Sequence, residues 1–183
     1  MERRSPFVGL DRLNIASEVS MLGPQANYPI AILAAEETAT GKAEYSYSSA
    51  FILSPRQHMI MQFRIWDHGL EQCSVRFEAP VLDGVKPEPL ETSANASVVV
   101  TKLALEDLLP PVFEDQGYPW AIDKHLGVLS FHAAANSSTD WYPCPRDSLQ
   151  TLELKCQSED CLVKFTQARS VSHFGVRIYQ KGG

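Results

Sequence analysis

No stretch of this 183-residue chain approaches the roughly 18–20 consecutive apolar residues that carry a helix across a bilayer. Long Lys/Arg runs are absent too, and Asp plus Glu outnumber Lys plus Arg by 22 to 16, a formal net charge of −6. An acidic chain without a basic stripe is excluded as a binder of the nucleic-acid backbone. No Cys-X-X-Cys pair occurs, which removes the usual zinc frameworks. Gly-X-Ser-X-Gly, Gly-X-Gly-X-X-Gly and the phosphate-binding P-loop are all missing, and with them the linear marks of a serine-elbow hydrolase, a dinucleotide fold and a nucleotide hydrolase. No 20–50-residue repeat, low-complexity tract or coiled-coil heptad run is present. Met1–Pro6 is followed by no apolar signal region, so no secretory signal is expected within the sequence.

What the chain does have is enough apolar material, 44% of its residues, to bury a sizeable core. That predicts one folded domain over residues 7–180, with a flexible N-terminus at 1–6 and a tail at 181–183.

The dominant pattern has period two. In Met59–Trp66, the set Met59, Met61, Phe63 and Ile65 faces one way, while Gln62 and Arg64 face the other. Cys73–Glu78 repeats the alternation, and Asp67–Leu70 between them reads as the turn of a hairpin. Further strands are expected at 12–19, 29–34, 45–53, 97–103, 127–132, 149–156, 161–166 and 174–179. Turn chemistry at Gly23-Pro24, Gly41-Lys42, Ser54-Pro55, Asp83-Gly84 and Gly117 separates most of them. Only Leu103–Leu109 hints at a helix, stopped by Pro110-Pro111, and Val81–Ala96 reads as a solvated loop. About 8–10 short strands with regular breaks predict an all-β protein, an antiparallel β-sandwich or jelly roll.

Four cysteines allow three disulfide pairings. Cys156 and Cys161 bracket a polar turn between two alternating runs, a geometry that brings strand ends to disulfide distance and leaves Cys73 with Cys144. Buried free thiols are the competing reading, since Cys packs well as a small hydrophobe. Two glycosylation sequons, at Asn95 and Asn136, favour the oxidising reading. A secreted or lumenal ectodomain follows, with a cytoplasmic chain as the alternative.

Three segments carry a family likeness: Phe7–Leu13, then Met61–Cys73, then Tyr142-Pro143-Cys144-Pro145 with Leu152–Cys156 and the closing Phe174–Tyr179. In this order they resemble the fungal But-two C-terminal domain, in its mushroom-type form. That family takes its name from proteins associated with the activating enzyme of a ubiquitin-like modifier. The resemblance implies a β-sandwich, supports pairing Cys73 with Cys144, and brings no catalytic residues. Many mushroom-type members resemble type II membrane proteins with a span ahead of the region matched by Gly9–Arg12, and this chain lacks that span.

Aromatic residues in loop-like contexts are the best ligand-binding candidates. Trp66, Trp120, Asp140, Trp141 and Tyr142 combine ring faces with nearby polar groups, the pairing that reads a pyranose. The competing reading has Trp120 and Trp141 capping the open ends of the core. Five histidines, His58, His68, His125, His132 and His173, show no metal spacing, and no metal or cofactor is expected. The acidic pairs Glu36-Glu37, Glu114-Asp115 and Glu159-Asp160 read as solvated loop charges.

The favoured function is a non-catalytic binding or structural module that recognises a protein or glycan partner. One alternative is an enzyme with a non-motif site in a jelly-roll cleft, drawing on His132, Asp140 or Glu114. The other, implied by the family likeness, is an intracellular binder of a modifier-activating enzyme.

Overall fold

The computed structural model describes residues 24–40, 42–66, 69–79, 90–94, 96–110, 120–132, 135–167 and 174–182. Among them the chain is all-β. Fourteen strands follow in order: β1 (Gln25–Asn27), β2 (Ala31–Glu37), β3 (Ala43–Tyr47), β4 (Ala50–Leu53), β5 (Gln57–Arg64), β6 (Gln72–Glu78), β7 (Glu91–Thr92), β8 (Ser97–Leu103), β9 (Ile122–Ser130), β10 (Ser137–Ser138), β11 (Tyr142–Pro143), β12 (Leu149–Cys156), β13 (Val163–Thr166) and β14 (Gly175–Lys181). Ten of these have four or more residues, and the other four are short edge pieces.

Every pairing between them is antiparallel. A six-stranded sheet runs β3-β2-β5-β12-β8-β9. A five-stranded sheet runs β1-β14-β6-β10, with β11 also on β6, and a three-stranded sheet runs β4-β13-β7. The inner face of the six-stranded sheet contributes Met59, Met61, Phe63, Val98, Val100, Leu152 and Leu154 to one core. The five-stranded sheet meets it with Cys73, Val75, Phe77, Val176 and Ile178, and the three-stranded sheet with Phe51, Leu53, Val163 and Phe165. The architecture is a β-sandwich, its inward residues alternating along each strand as such packing requires.

Phenylalanines knit this core. Phe51 lies 4.4 Å from Phe165 between ring centroids, Phe77 4.3 Å from Phe131, and Phe165 4.9 Å from Phe174. Such pairs add about 0.5–1.5 kcal/mol each beyond the area they bury.

The five- and three-stranded sheets are stitched by one side chain. The Gln167 amide donates to the Val176 carbonyl and accepts from the Val176 N–H, at 3.1 and 3.0 Å. Gly175 permits this approach: its φ is +116°, and a Cβ there would sit 2.6 Å from the Gln167 amide oxygen.

Several local expectations are corrected. Met59–Trp66 and Cys73–Glu78 are not a hairpin: β5 pairs with β2 and β12, and β6 with β14. The connection crosses between layers, so that the apolar faces of the two strands meet across the core instead of lying side by side. The 45–53 run is two strands in different sheets, β3 and β4, broken at Ser48-Ser49. Residues 103–109 form no helix; Leu103 ends β8, and the following segment lies over the outer face of the six-stranded sheet.

Gln62 holds that segment. It is fully buried, donates to the Asp107 carbonyl and Thr151 Oγ1 at 2.8 and 2.9 Å, and accepts the Leu109 N–H at 3.1 Å. A second, smaller core of Leu33, Ala35, Ile60, Leu103 and Leu109 results, with Tyr45 and Trp120 packed on it. The expected 81–96 loop contains β7, which adds to β13. Lys181, expected in a tail, is the last residue of β14 and pairs with Gln72. The strand expected at 12–19 lies outside the described residues, as do residues 1–6.

Both disulfides expected from the cysteine spacing are present: Cys73–Cys144 across 71 residues and Cys156–Cys161 across 5.

Candidate recognition surface

Alternation in β14 sends Val176 and Ile178 into the core and therefore turns Arg177, Tyr179 and Lys181 to the outer face of the five-stranded sheet. Register places Arg76 of β6 opposite Arg177, Ser74 opposite Tyr179, and Gln72 opposite Lys181. On the far side of β6, Tyr142 pairs with Cys73 and turns inward, so its neighbour Trp141 turns outward. The result is a continuous stack. The Lys181 ammonium stands 4.3 Å from the centre of the Trp141 ring; the Arg76 guanidinium lies 5.4 Å from the same ring and 4.5 Å from Tyr179. Farther along, Arg177 lies 4.7 Å from the Tyr28 ring and donates to Glu78 at 2.9 Å.

Within the stack, burial differs sharply. Arg177 is 0% exposed, a charge held because Glu78 neutralises it, and Tyr179 also donates to Glu78. Burial, reinforced by that bond to Glu78, pushes the Tyr179 hydroxyl up to about 12. Trp141, Arg76 and Lys181 are half-buried, and Asp140 beside them is exposed. A fixed base of Arg177, Glu78 and Tyr179 thus supports an accessible rim of one indole and two cations. Cation–π contacts of this kind contribute roughly 0.5–1 kcal/mol each at exposed sites.

The five sequence-derived candidates are distributed around this surface. Asp140 and Trp141 belong to it. Tyr142 is buried in the main core, where burial raises its hydroxyl pKa, and it presents nothing to a ligand. Trp66 is 59% exposed, with the Arg64 guanidinium 4.0 Å above its ring. It leaves β5 at the end where Ile65 N–H donates to the Ser148 carbonyl. Trp120 sits on the outer face of the other sheet, edge-on to Tyr45 at 5.8 Å, and closes the smaller core there. The structure therefore separates Trp120 from Trp141 by the full thickness of the sandwich.

Sequence reasoning passed over Arg76, Tyr179 and Lys181. The signal was present: Arg177, Tyr179 and Lys181 alternate with Val176 and Ile178, which marks one face of a strand as cationic and aromatic.

For acid–base chemistry, the histidine and carboxylate that approach one another among the described residues are His58 and Glu153, 3.5 Å apart and 8% exposed each. Burial lowers the His58 pKa, with Glu153 opposing. Neither lines the groove formed by 29–32, 47–49 and Gln167, nor the one formed by 102–106, Asp123 and 145–150. His132 is exposed in an isolated bridge to Ala135, and Asp140 lies on the recognition surface; Glu114 and Asp115 fall outside the described residues. So do His68, His173 and Asn95. Among the described residues no group of three or more His, Cys, Asp or Glu is placed to hold a metal ion, and no helix is long and apolar enough to cross a membrane.

No protein-family model matches the chain, and no curated protein matches it. What the fold and the surface define is a disulfide-bonded β-sandwich with an aromatic and cationic outer face.

Proposed function

We propose that this protein is a non-catalytic binding module of an extracytoplasmic protein, recognising a protein or glycan partner through the outer face of its five-stranded sheet. The observation that carries this reading is the half-exposed Trp141 ring, flanked by Lys181 and Arg76 and set on the Tyr179–Glu78–Arg177 base. A ring and cations held in place before a ligand arrives lose little entropy on binding. Two disulfides support an oxidising compartment. The likeness of the 61–73 and 142–145 motifs to the But-two C-terminal domain supports a fungal source for such a module.

Immobilised chitin, β-glucan and mannan, together with a panel of secreted fungal proteins, provide the test, with wild type compared against Trp141→Ala. Retention by one ligand, weakened about tenfold or more by the substitution, is the expected result for a ring at the centre of an interface. Equal retention of both proteins would refute the assignment of this face.

One observation favours the catalytic alternative, the buried His58–Glu153 pair. Neither residue lines a groove where a substrate could reach it, which makes this the weaker reading.

A further inference from the structure

The outer face of the five-stranded sheet holds cations that the fold leaves without counter-charge. By alternation and register, Arg76 of β6 shares that face with Arg177 and Lys181 of β14, and Arg76 stands directly opposite Arg177. Glu78 is the carboxylate that β6 and β14 turn to this face, and it is committed to Arg177 and Tyr179. Arg76 and Lys181 make no ion pair or hydrogen bond with any described residue. Like charges opposite one another on neighbouring strands are destabilising, so this arrangement does not serve the sheet's own stability. What holds the two cations is aromatic: Trp141 for both, and Tyr179 as well for Arg76. The whole chain carries a net charge of −6, so the positive charge here is local and runs against the composition.

We infer, resting on the reading of this face as the recognition surface, that its ligand is an acidic saccharide whose carboxylate or sulfate is received by Arg76 and Lys181. A guanidinium fork and an ammonium match such oxyanions, and rings that fix them beforehand lower the ordering cost of binding. The groups around them suit hydroxyls, which both donate and accept. Ser138 stands in register with Arg76, Gln72 with Lys181, and Asp140 is exposed next to Trp141. The Asp140 carboxylate repels a run of acidic side chains but accepts from a sugar hydroxyl. An extended peptide would also find the strand pairings taken, since β6 lies between β14 and β10–β11, and β14 between β6 and β1. Arg76, Trp141 and Lys181 line neither of the two grooves described above, so the site is an open face along which a chain of sugars can lie.

Calorimetric titration of the disulfide-intact protein tests the inference. The probes are a galacturonate hexamer and its methyl ester, a κ-carrageenan hexamer and its desulfated form, and hexaglutamate. The expected result is saturable binding of at least one acidic hexamer, about tenfold or more tighter than its neutral form and than hexaglutamate. Binding of galacturonate alone identifies the anion as a carboxylate, and of carrageenan alone as a sulfate. Arg76→Gln and Lys181→Gln should each weaken that binding about tenfold or more. Lys181→Gln, at the end of β14, carries the test should Arg76→Gln fail to fold. Arg64→Gln, which removes a cation stacked in the same way on Trp66, should bind as wild type. No binding of either acidic hexamer, equal binding of the neutral forms or of hexaglutamate, or full affinity in Lys181→Gln would overturn the inference. Neutral-sugar binding lost in Trp141→Ala would leave the recognition face standing and remove only its anionic ligand. Acidic binding that survives both Trp141→Ala and Lys181→Gln would refute the two together.

Discussion

Tyr179 shows how one side chain reports the state of the whole recognition surface. Its hydroxyl donates to Glu78, which also receives Arg177, so ionising the phenol sets a phenolate beside a carboxylate. The folded-state pKa is pushed up to about 12, against an ordinary value of about 10. Between those values the unfolded chain releases its proton while the folded chain keeps it. The contribution is therefore complete below about pH 10 and is lost as pH rises toward 12. Tyr142 shares the direction of the shift, from burial alone. Tyrosinate absorbance during an alkaline titration should accordingly show Tyr142 and Tyr179 ionising last, at the onset of unfolding. In Tyr179→Phe the late phase should shrink by one tyrosine, and stability should fall less steeply above about pH 10. An unchanged late phase would mean that the Glu78 contact does not hold in solution.

At the scale of elements, the two disulfides do unequal work. Cys73–Cys144 ties the start of β6 to the segment after β11, closing a loop across 71 residues, whereas Cys156–Cys161 closes a turn between β12 and β13. Loop-closure entropy gives about 4 kcal/mol for the first and about 2 kcal/mol for the second. The first pair is also fully buried, while Cys156 is half-exposed. Denaturant unfolding of Cys73→Ala/Cys144→Ala should therefore show a markedly larger loss than Cys156→Ala/Cys161→Ala. The reverse order would place the critical constraint at the β12–β13 corner instead.

These same elements show what a sequence can and cannot reveal. Strands 97–103 and 149–156 were legible to the residue, because Val98, Val100, Leu152 and Leu154 alternate cleanly against one core. The disulfide pairing was legible from the tight spacing of Cys156 and Cys161. Sheet membership was not: β5 and β6 carry the same alternation whether they pair or face each other across the core, and local pattern does not distinguish the two. The helix hinted at over 103–109 failed because Leu103 and Leu109 bury against an outer sheet face clamped by Gln62, a contact made 45 residues away. The recognition surface was half legible. Trp141 and Asp140 stood out as loop residues, whereas Arg76 and Lys181 acquire meaning only once β6, β11 and β14 are neighbours.

For the molecule as a whole, compartment decides between the competing functions, and it can be read from mass. With both disulfides formed no described cysteine is left free, a covalent state that a reducing cytosol opposes. Asn136 is exposed just ahead of β10, and its Oδ1 accepts the Ala79 N–H, leaving uncommitted by that bond the amide nitrogen that would carry a glycan. Intact protein from a fungal secretory host should therefore show no alkylation before reduction and four alkylated thiols after it, with glycan mass at Asn136 removed by an amidase. Glycosylation there would not cover the Trp141 ring by register, since β10 pairs with the Phe77–Arg76 end of β6 and β11 with the Cys73–Gln72 end. The glycosylated protein should then bind its partner as well as the enzymatically deglycosylated form. Four thiols alkylated without reduction, and no glycan, would move the protein to a reducing compartment. The extracytoplasmic reading would then be abandoned, and a cytosolic partner, the modifier-activating enzyme first among them, would be the interaction to measure.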